Sequence, residues 1–248
     1  MDLSKEIQIA VEAARVSGKL LLDEKEKLNI TSSSDTKDVK LDADIASENA
    51  IKEIILDKSN FEILAEESGK SSENLGSTYW VIDPLDGTAN YSRDIPICCV
   101  SIGMIKDKNP IFGVIYDFNN DDLYIGDCVN NSAILNDQPI TVSHKTTKED
   151  GVLITGLPFN TDYSDQALEN LIKDMQAWKK TRMIGSAAMA SCYIASGKAE
   201  LYKEKGIYLW DIIAGAALVE SAGGRAEINN IRDNFQVDVV FSNAKIKG

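Results

Sequence analysis

The sequence predicts a mixed α+β protein in which helices and sheets pack in layers. Apolar residues recur at helical spacing near the N-terminus, and short apolar segments separated by polar turns fill the middle of the chain. After residue 151, helical and strand-like segments alternate. The chain has 248 residues, 44% of them hydrophobic, which suffices for one large domain or two joined halves. We expect a division near residue 145, into an α+β half over 1–145 and an α/β half over 146–248.

The first part of the chain predicts two helices and two buried strands. Apolar residues three and four positions apart indicate the helices, and short runs of apolar and aromatic residues indicate the strands. A stretch of Ser, Thr, Asp and Lys between the helices predicts an exposed loop. The predicted elements are a helix over 4–28, a loop over 31–37, a helix over 44–56, and strands over 61–65 and 79–82.

The rest of the chain predicts an antiparallel meander followed by alternating elements. The meander strands, joined by short polar turns, are expected over 98–105, 111–116, 122–125 and 140–142. The later elements are expected to be a strand over 152–155, helices over 165–178, 186–196 and 211–222, and a final strand over 237–241.

Composition and charge exclude several classes of function. The chain carries 39 acidic and 26 basic residues, a net charge of −13, which opposes binding to nucleic acid. It has no apolar run long enough for a membrane span and no secretion signal at its N-terminus, so we expect a cytoplasmic protein. A phosphorylated substrate could enter so acidic a protein only where bound cations reverse the local sign of charge, which indicates divalent metals.

The scarcity of histidine narrows the chemistry further. His144 is the single histidine, so a multi-histidine zinc site is excluded and a histidine-based triad would depend on this one polar-loop residue. The four cysteines lack C-x-x-C spacing, and we expect them to be reduced packing residues. The segment Gly69-Lys70-Ser71 is no P-loop, because Leu64 stands where the loop needs its first glycine. Catalysis is therefore left to carboxylates, hydroxyls, lysines or metals.

Three acidic clusters follow predicted strands or open predicted helices. They are Glu66-Glu67, the segment Asp-Pro-Leu-Asp-Gly-Thr over 83–88, and Trp-Asp at 210–211. In the second cluster Pro84 predicts a rigid turn between two carboxylates, whose oxygens suit a hard divalent cation. Taken alone, each cluster is also compatible with a solvated turn or a helix cap.

In this order and at these separations, the clusters resemble the signatures of the inositol monophosphatase family of metal-dependent, lithium-sensitive phosphatases. Residues 83–88 reproduce the first signature in full, and residues 210–215 match the second, with Ile213 where many members have Ala. The resemblance covers nearly the whole chain. It implies a layered α-β-α-β-α sandwich, a magnesium-dependent phosphomonoesterase and a homodimer.

The resemblance also implies the metal ligands. One Mg²⁺ would be held by Glu66, Asp83 and the backbone carbonyl of Leu85. Asp83, Asp86 and Asp211 would hold a second, and the family pattern allows two or three ions per site. Two metals about 3.5–4 Å apart can clamp the attacking and leaving oxygens of an in-line displacement.

Three residues match catalytic positions of the family. Thr88 would hydrogen-bond the attacking water, and Glu66 would accept its proton. Asp44 falls where members have an acid near a further metal and the water. The segment before it departs from the common Asp-x-Val-Thr-x-x-Asp pattern, because Lys40 and Leu41 stand at the Val-Thr positions.

The substrate is left more open. A small phosphorylated metabolite would be bound by the matched residues Asp86, Gly87, Thr88, Ser186, Ala187, Glu204 and Asp211. Glu204 aligns with an acid that binds inositol hydroxyls, which favours inositol 1-phosphate or a similar polyol or sugar phosphate. The alternatives are phosphatases of 3′-phosphoadenosine 5′-phosphate, fructose 1,6-bisphosphate or histidinol phosphate, and a catalytically silent regulatory protein on the same scaffold.

Overall fold

The computed structural model describes residues 2–34, 39–157 and 162–247. The helix predicted over 4–28 is confirmed, with a break at Glu24, and the second helix is confirmed and longer than predicted. The loop prediction is wrong over 31–34, which form a strand, and its residues 35–37 lie outside the described residues. The first elements are α1 (Ser4–Asp23), α2 (Lys25–Leu28), β1 (Thr31–Ser34), β2 (Val39–Leu41) and α3 (Asp42–Lys58).

An eight-stranded sheet occupies the middle of the chain. Its elements are β3 (Glu62–Ala65), β4 (Gly69–Lys70), β5 (Thr78–Asp86), the short helix α4 (Thr88–Tyr91), β6 (Cys99–Lys106), β7 (Asn109–Asp117), β8 (Asp122–Asp127), β9 (Ser132–Leu135) and β10 (Gln138–Pro139). The strand order is β10-β9-β8-β7-β6-β5-β3-β4, and every pair is antiparallel except β3 with β5. The predicted meander is confirmed through β8. The prediction of a strand over 140–142 is wrong, because the sheet already ends with β9 and the edge strand β10.

A five-stranded sheet follows. Its elements are β11 (Val152–Thr155), α5 (Asp165–Gln176), β12 (Lys180–Arg182), α6 (Ala187–Ala195), β13 (Leu201–Tyr208), α7 (Leu209–Ser221), β14 (Arg225–Asn229) and β15 (Gln236–Ser242). The order is β12-β11-β13-β15-β14, with β11 parallel to both of its neighbours. The predicted strand over 152–155, the three helices and the final strand are confirmed. Sequence analysis missed β12, β13 and β14.

The elements stack in five layers. α1 and α3 cover one face of the large sheet, and α6 and α7 fill the space between the two sheets. On the outer face of the small sheet, Met175 of α5 packs with Leu153 and Leu201. The predicted α-β-α-β-α sandwich is therefore confirmed. In the described part of the chain, no helix is both long and apolar enough to cross a membrane.

One hydrophobic core joins the two sheets. Val81 and Ile115 of the large sheet belong to the same buried cluster as Ile212 of α7 and Val239 of the small sheet. The division near residue 145 coincides with the change of sheet, but the shared core means that a boundary between separate halves stays a prediction.

A row of glycines brings α7 close to the large sheet. Gly103, Gly113 and Gly126 are paired across β6, β7 and β8. A Cβ atom at Gly113 would overlap the backbone of Ala214, and one at Gly126 would overlap the backbone of Leu218. The missing side chains therefore allow α7 to lie with its backbone against the sheet.

Candidate active site

The segment 83–86 is a bulge in β5 and not the tight turn that Pro84 predicts. β5 runs on through Asp86, and its pairing with β6 shifts register between Asp83 and Asp86. Because a bulge takes backbone groups out of the ladder, side chains bind them instead. Asp83 Oδ1 accepts from the Leu85 N–H at 3.0 Å, and Thr88 Oγ1 lies 3.0 Å from the Leu85 carbonyl oxygen. Asp83 and Asp86 are both buried.

Gly87 turns the chain from the bulge into α4. Its φ of 94° lies in the left-handed region, and a Cβ atom there would be 2.8 Å from the Ile97 carbonyl oxygen. Glycine is the residue that meets both conditions. Thr88 therefore begins α4 at a defined place beside the bulge.

Asp44 and Thr88 are in direct contact. The Thr88 hydroxyl donates to Asp44 Oδ1 at 2.8 Å, and the Leu41 N–H donates to Asp44 Oδ2 at 2.7 Å. Asp44 is 1% exposed, and this burial raises its pKa to about 6. The departure at Lys40 and Leu41 has not moved the acid away, since the structure places Asp44 beside Thr88.

Glu66 and Asp83 form the most strongly perturbed pair of the site. Glu66 keeps some exposed surface, but burial of its carboxyl group, with the charges of Asp44 and Glu67, raises its pKa to about 8. Burial and the charges of Glu66, Asp86 and Asp211 also raise the pKa of Asp83. The Glu66 and Asp83 carboxyl groups hydrogen-bond to each other. Two carboxylates so close together cannot both ionise without a counter-ion.

Asp86 connects the bulge to the start of α6. Asp86 accepts hydrogen bonds from Ser186 Oγ at 2.5 Å, the Ala188 N–H at 2.6 Å and the Ala187 N–H at 3.3 Å. Burial nevertheless raises its pKa to about 6.

Asp211 occupies the first turn of α7, where its Oδ2 accepts from the Tyr208 N–H at 2.8 Å. Burial of this carboxyl group, with the charges of Glu66 and Asp86, raises its pKa.

Besides the short helix α4, three longer helices begin at this site. Asp44 lies in the first turn of α3 and Asp211 in the first turn of α7, while Asp86 accepts N–H groups from the first turn of α6. The unpaired N–H groups of a helix N-terminus carry partial positive charge, which stabilises a nearby anion. The acids are thus held by helix starts that also favour negative charge at the centre.

Glu204 lies on the small sheet, facing the Asp86–Asp211 side of the site. The Tyr202 hydroxyl donates to Glu204 Oε2 at 2.9 Å, and burial raises the Glu204 pKa to about 7. The negative charge of Asp86 contributes to this shift. A Cβ atom at Gly156 would overlap the Glu204 carboxylate, so Gly156 leaves the room that this side chain occupies.

Several residues that build the site were missed from the sequence. Asn90 donates through Nδ2 to the carbonyl oxygens of Ile97 and Ile184, both at 2.8 Å, and so ties α4 to the segment before α6. Ser47 and Glu48 contact the acid-bearing segments from α3. The available signal was their spacing from Asp44, because positions i+3 and i+4 of a helix share the face of position i.

The residues present fit a divalent metal. The side-chain donors are all carboxylate oxygens, the ligands that hard cations prefer, and a cation would offset the burial and the mutual repulsion that raise their pKa values. Within the described residues, no three His, Cys, Asp or Glu side chains are already converged as ligands of one ion. The carboxyl groups instead hydrogen-bond to Thr88, to backbone N–H groups and to one another.

Comparison with known proteins identifies the family. The family model described as the inositol monophosphatase family matches residues 2–234. The chain is 35% identical to the Nus factor SuhB of Pasteurella multocida over 227 residues, which cover 88% of this chain and 83% of the relative. It is 34% identical to the fructose-1,6-bisphosphatase/inositol-1-monophosphatase of Aquifex aeolicus over 229 residues, covering 90% of this chain and 85% of the relative.

Solved structures agree with these sequence relatives. The inositol monophosphatase of Anabaena (Nostoc) sp. superimposes with a TM-score of 0.84 at 32% identity, covering 99% of this chain and 93% of that one. Family members are typically metal-dependent phosphomonoesterases, which agrees with the oxygen donors of the site. The chain therefore belongs to the inositol monophosphatase family.

Proposed function

We propose that the protein hydrolyses the phosphomonoester of a small polyol or sugar, with inositol 1-phosphate as the first candidate. Magnesium ions would be held by Glu66, Asp83, the Leu85 carbonyl, Asp86 and Asp211. The observation that carries this proposal is that acids from three distant parts of the sequence lie together around one bulge. Glu66 hydrogen-bonds to Asp83, and the charges of Asp86 and Asp211 act on Asp83.

Bound magnesium would supply an activated nucleophile at neutral pH and neutralise the leaving oxygen. Side chains and backbone N–H groups of the chain would orient the water and the phosphate and would accept a proton. Thr88 Oγ1, which donates to Asp44 Oδ1 at 2.8 Å, would orient the attacking water. Glu66 would accept the proton of that water. The N–H groups of Gly87 and Thr88 would receive phosphate oxygens.

The substrate's alcohol portion would meet the other side of the site. Ser186 and Ala187 contact Asp86 there, and the Glu204 carboxyl group is fixed by Tyr202. A carboxyl group held in this way can accept hydrogen bonds from vicinal hydroxyls, which supports a polyol substrate. The name of the Aquifex relative joins inositol 1-phosphate and fructose 1,6-bisphosphate as substrates of one protein, so both deserve a direct test here.

A phosphate-release assay tests the proposal. The panel comprises inositol 1-phosphate, fructose 1,6-bisphosphate, histidinol phosphate and 3′-phosphoadenosine 5′-phosphate, each with magnesium, with chelator and with added lithium. We expect magnesium-dependent turnover that is highest on the polyol and sugar phosphates. Glu204→Gln should reduce kcat/KM for inositol 1-phosphate more than for the nucleotide, and equal losses on both would refute the role of Glu204.

A regulatory protein on the same scaffold is the second candidate, because one relative is named a Nus factor. A silent scaffold is free to lose its acids, whereas this chain keeps Glu66, Asp83, Asp86, Asp211 and Thr88. Absence of turnover on the whole panel would favour the regulatory alternative. We also propose two or three magnesium ions per site and a homodimer, which calorimetric stoichiometry and sedimentation equilibrium would measure.

A further inference from the structure

One face of α3 carries three buried polar side chains that the proposed chemistry uses only in part. Asp44, Ser47 and Glu48 are 1%, 0% and 3% exposed. Their spacing of i, i+3 and i+4 puts them on the same side of the helix. Each reaches a different segment of the site: Asp44 contacts Thr88, Ser47 contacts Pro84, and Glu48 contacts Glu67.

Ser47 holds the bulge that carries Asp83 and Asp86. Its hydroxyl donates to the Pro84 carbonyl oxygen at 2.7 Å. A serine has one hydroxyl proton, so the 2.6 Å contact between the hydroxyls of Ser17 and Ser47 is donated by Ser17. This two-serine chain links α1, α3 and the bulge. Without Ser47 a buried carbonyl oxygen, already outside the strand ladder, would lose this donor.

Glu48 holds the segment that carries Glu66. Glu48 Oε2 accepts from the Glu67 N–H at 2.8 Å, and Lys52 Nζ lies 3.6 Å from Oε1. A hydrogen bond from a backbone N–H to a carboxylate is stronger than one between neutral groups. The peptide group that joins Glu66 to Glu67 is therefore fixed to the same helix as the bulge.

Stability alone gives little reason for this arrangement. A buried carboxylate is costly, and an apolar residue of similar volume often serves a core equally well or better. We propose that Ser47 and Glu48 are positioning residues, which hold the 83–86 bulge and the Glu66–Glu67 segment at a fixed separation on α3 so that their acids can share cations. This inference rests on the proposed function in one respect, that the two segments bind divalent metal.

Calorimetric titration of the full chain with Mn²⁺ or Mg²⁺, without substrate, tests the inference. Variants Ser47→Ala and Glu48→Met should weaken metal affinity by about tenfold or more, the usual effect of removing a group that orients a ligand. Glu48→Gln keeps an acceptor oxygen for the Glu67 N–H and should restore affinity to within about threefold of the unaltered chain. Ser17→Ala removes only the outer partner of Ser47 and serves as the matched control, with the same expected limit of about threefold.

Thermal unfolding in chelator separates positioning from folding. We expect Glu48→Met to unfold as cooperatively as the unaltered chain while binding metal more weakly. If Ser47→Ala does not fold, the Glu48→Met and Glu48→Gln pair still decides the matter. Metal affinity of folded Glu48→Met equal to that of the unaltered chain would overturn the inference, provided that Asp83→Asn has lost binding. An unaltered chain that binds no divalent ion would instead overturn the proposed function, and the inference with it.

Discussion

At the scale of single residues, the site is a group of carboxyl groups whose pKa values are raised by burial and by one another. Glu66 reaches about 8, while Asp44 and Asp86 reach about 6. Each carboxyl group has a defined hydrogen-bond partner, so its position is fixed by the chain itself. A cation bound as proposed would recover the free energy spent on bringing like charges together.

Asp211→Asn tests the contribution of one of these charges. The asparagine Oδ1 can still accept from the Tyr208 N–H, so α7 should begin at the same residue and circular dichroism should be unchanged. Loss of a ligand charge should lower turnover by at least about a hundredfold, measured as phosphate release at saturating substrate. Asp121→Asn changes an exposed acid at a hairpin and is the control. Near-normal turnover of Asp211→Asn at low magnesium would contradict the ligand assignment.

Glu204 gives a pH dependence of stability with a definite sign. Its pKa is raised from 4.5 to about 7 in the folded protein, so the folded state holds the proton more tightly than the unfolded state. The resulting contribution to the free energy of unfolding is complete below pH 4.5 and is lost as pH rises through 7.

Glu204→Gln should remove this dependence. Denaturant unfolding of both proteins should therefore show a stability difference in favour of the variant that grows from pH 4.5 to 7 and is constant above it. A difference that is the same at all pH values would contradict the raised pKa.

At the scale of elements, two of the acids occupy equivalent helix positions. Asp44 in α3 and Asp211 in α7 each accept the N–H of the residue three positions earlier, Leu41 and Tyr208 respectively. One carboxylate oxygen therefore caps the helix, and its orientation fixes the second oxygen. The start of each helix therefore determines the direction of that oxygen, and the packing of α3 and α7 against the large sheet positions both carboxyl groups.

Gly113→Ala tests the packing of α7. The new Cβ atom would overlap the backbone of Ala214, which has no flexible side-chain end to move away. We expect the free energy of unfolding to fall by about 1–3 kcal/mol, the usual cost of overpacking a core. Metal affinity should fall as well, because Asp211 moves with the helix. Denaturant unfolding and calorimetry measure the two effects, and an unchanged free energy of unfolding would contradict the close approach.

The sequence predicted the elements in which most residues are apolar and buried. The apolar runs of β6, β7 and β11 and the helices α6 and α7 were found because nearly all of their residues are buried. β13 was missed because Lys203, Glu204 and Lys205 interrupt its apolar pattern, although all three belong to a strand paired with β15.

Some residues of the site could be predicted from local sequence motifs, and others could be found only from the fold. The acids stand in local motifs, so they could be named from the sequence. Ser47 and Glu48 are spaced to share the helix face of Asp44, but a polar residue on a helix is usually solvated, so the sequence did not show that they are buried. The bulge at 83–86 was missed because proline ordinarily ends a strand, and its tolerance here depends on register with β6.

At the scale of the whole molecule, the cysteines are packing residues. Cys98, Cys99 and Cys192 are buried, and Cys128 is partly exposed. Burial raises the pKa of the Cys98 thiol and of the Cys128 thiol to about 11 each, so little of either is thiolate at neutral pH. We expect slow labelling of the folded protein by a maleimide and rapid labelling of all four cysteines in denaturant. Mass spectrometry counts the labels, and fast labelling of Cys99 or Cys192 in the folded protein would contradict this packing.

The three helix starts at the site have a consequence for how an anion reaches a protein of net charge −13. The repulsion from the acidic surface acts over long distances and is screened by salt, with a Debye length of about 8 Å at physiological ionic strength. The N–H groups at the starts of α3, α6 and α7 already bind the carboxyl groups of Asp44, Asp86 and Asp211. The attraction for an anion would therefore come from cations that these acids hold, and it would act at short range inside the site, where the surrounding protein limits screening by salt. Moderate salt should therefore quicken substrate capture, so kcat/KM should rise between very low and physiological ionic strength while kcat stays level.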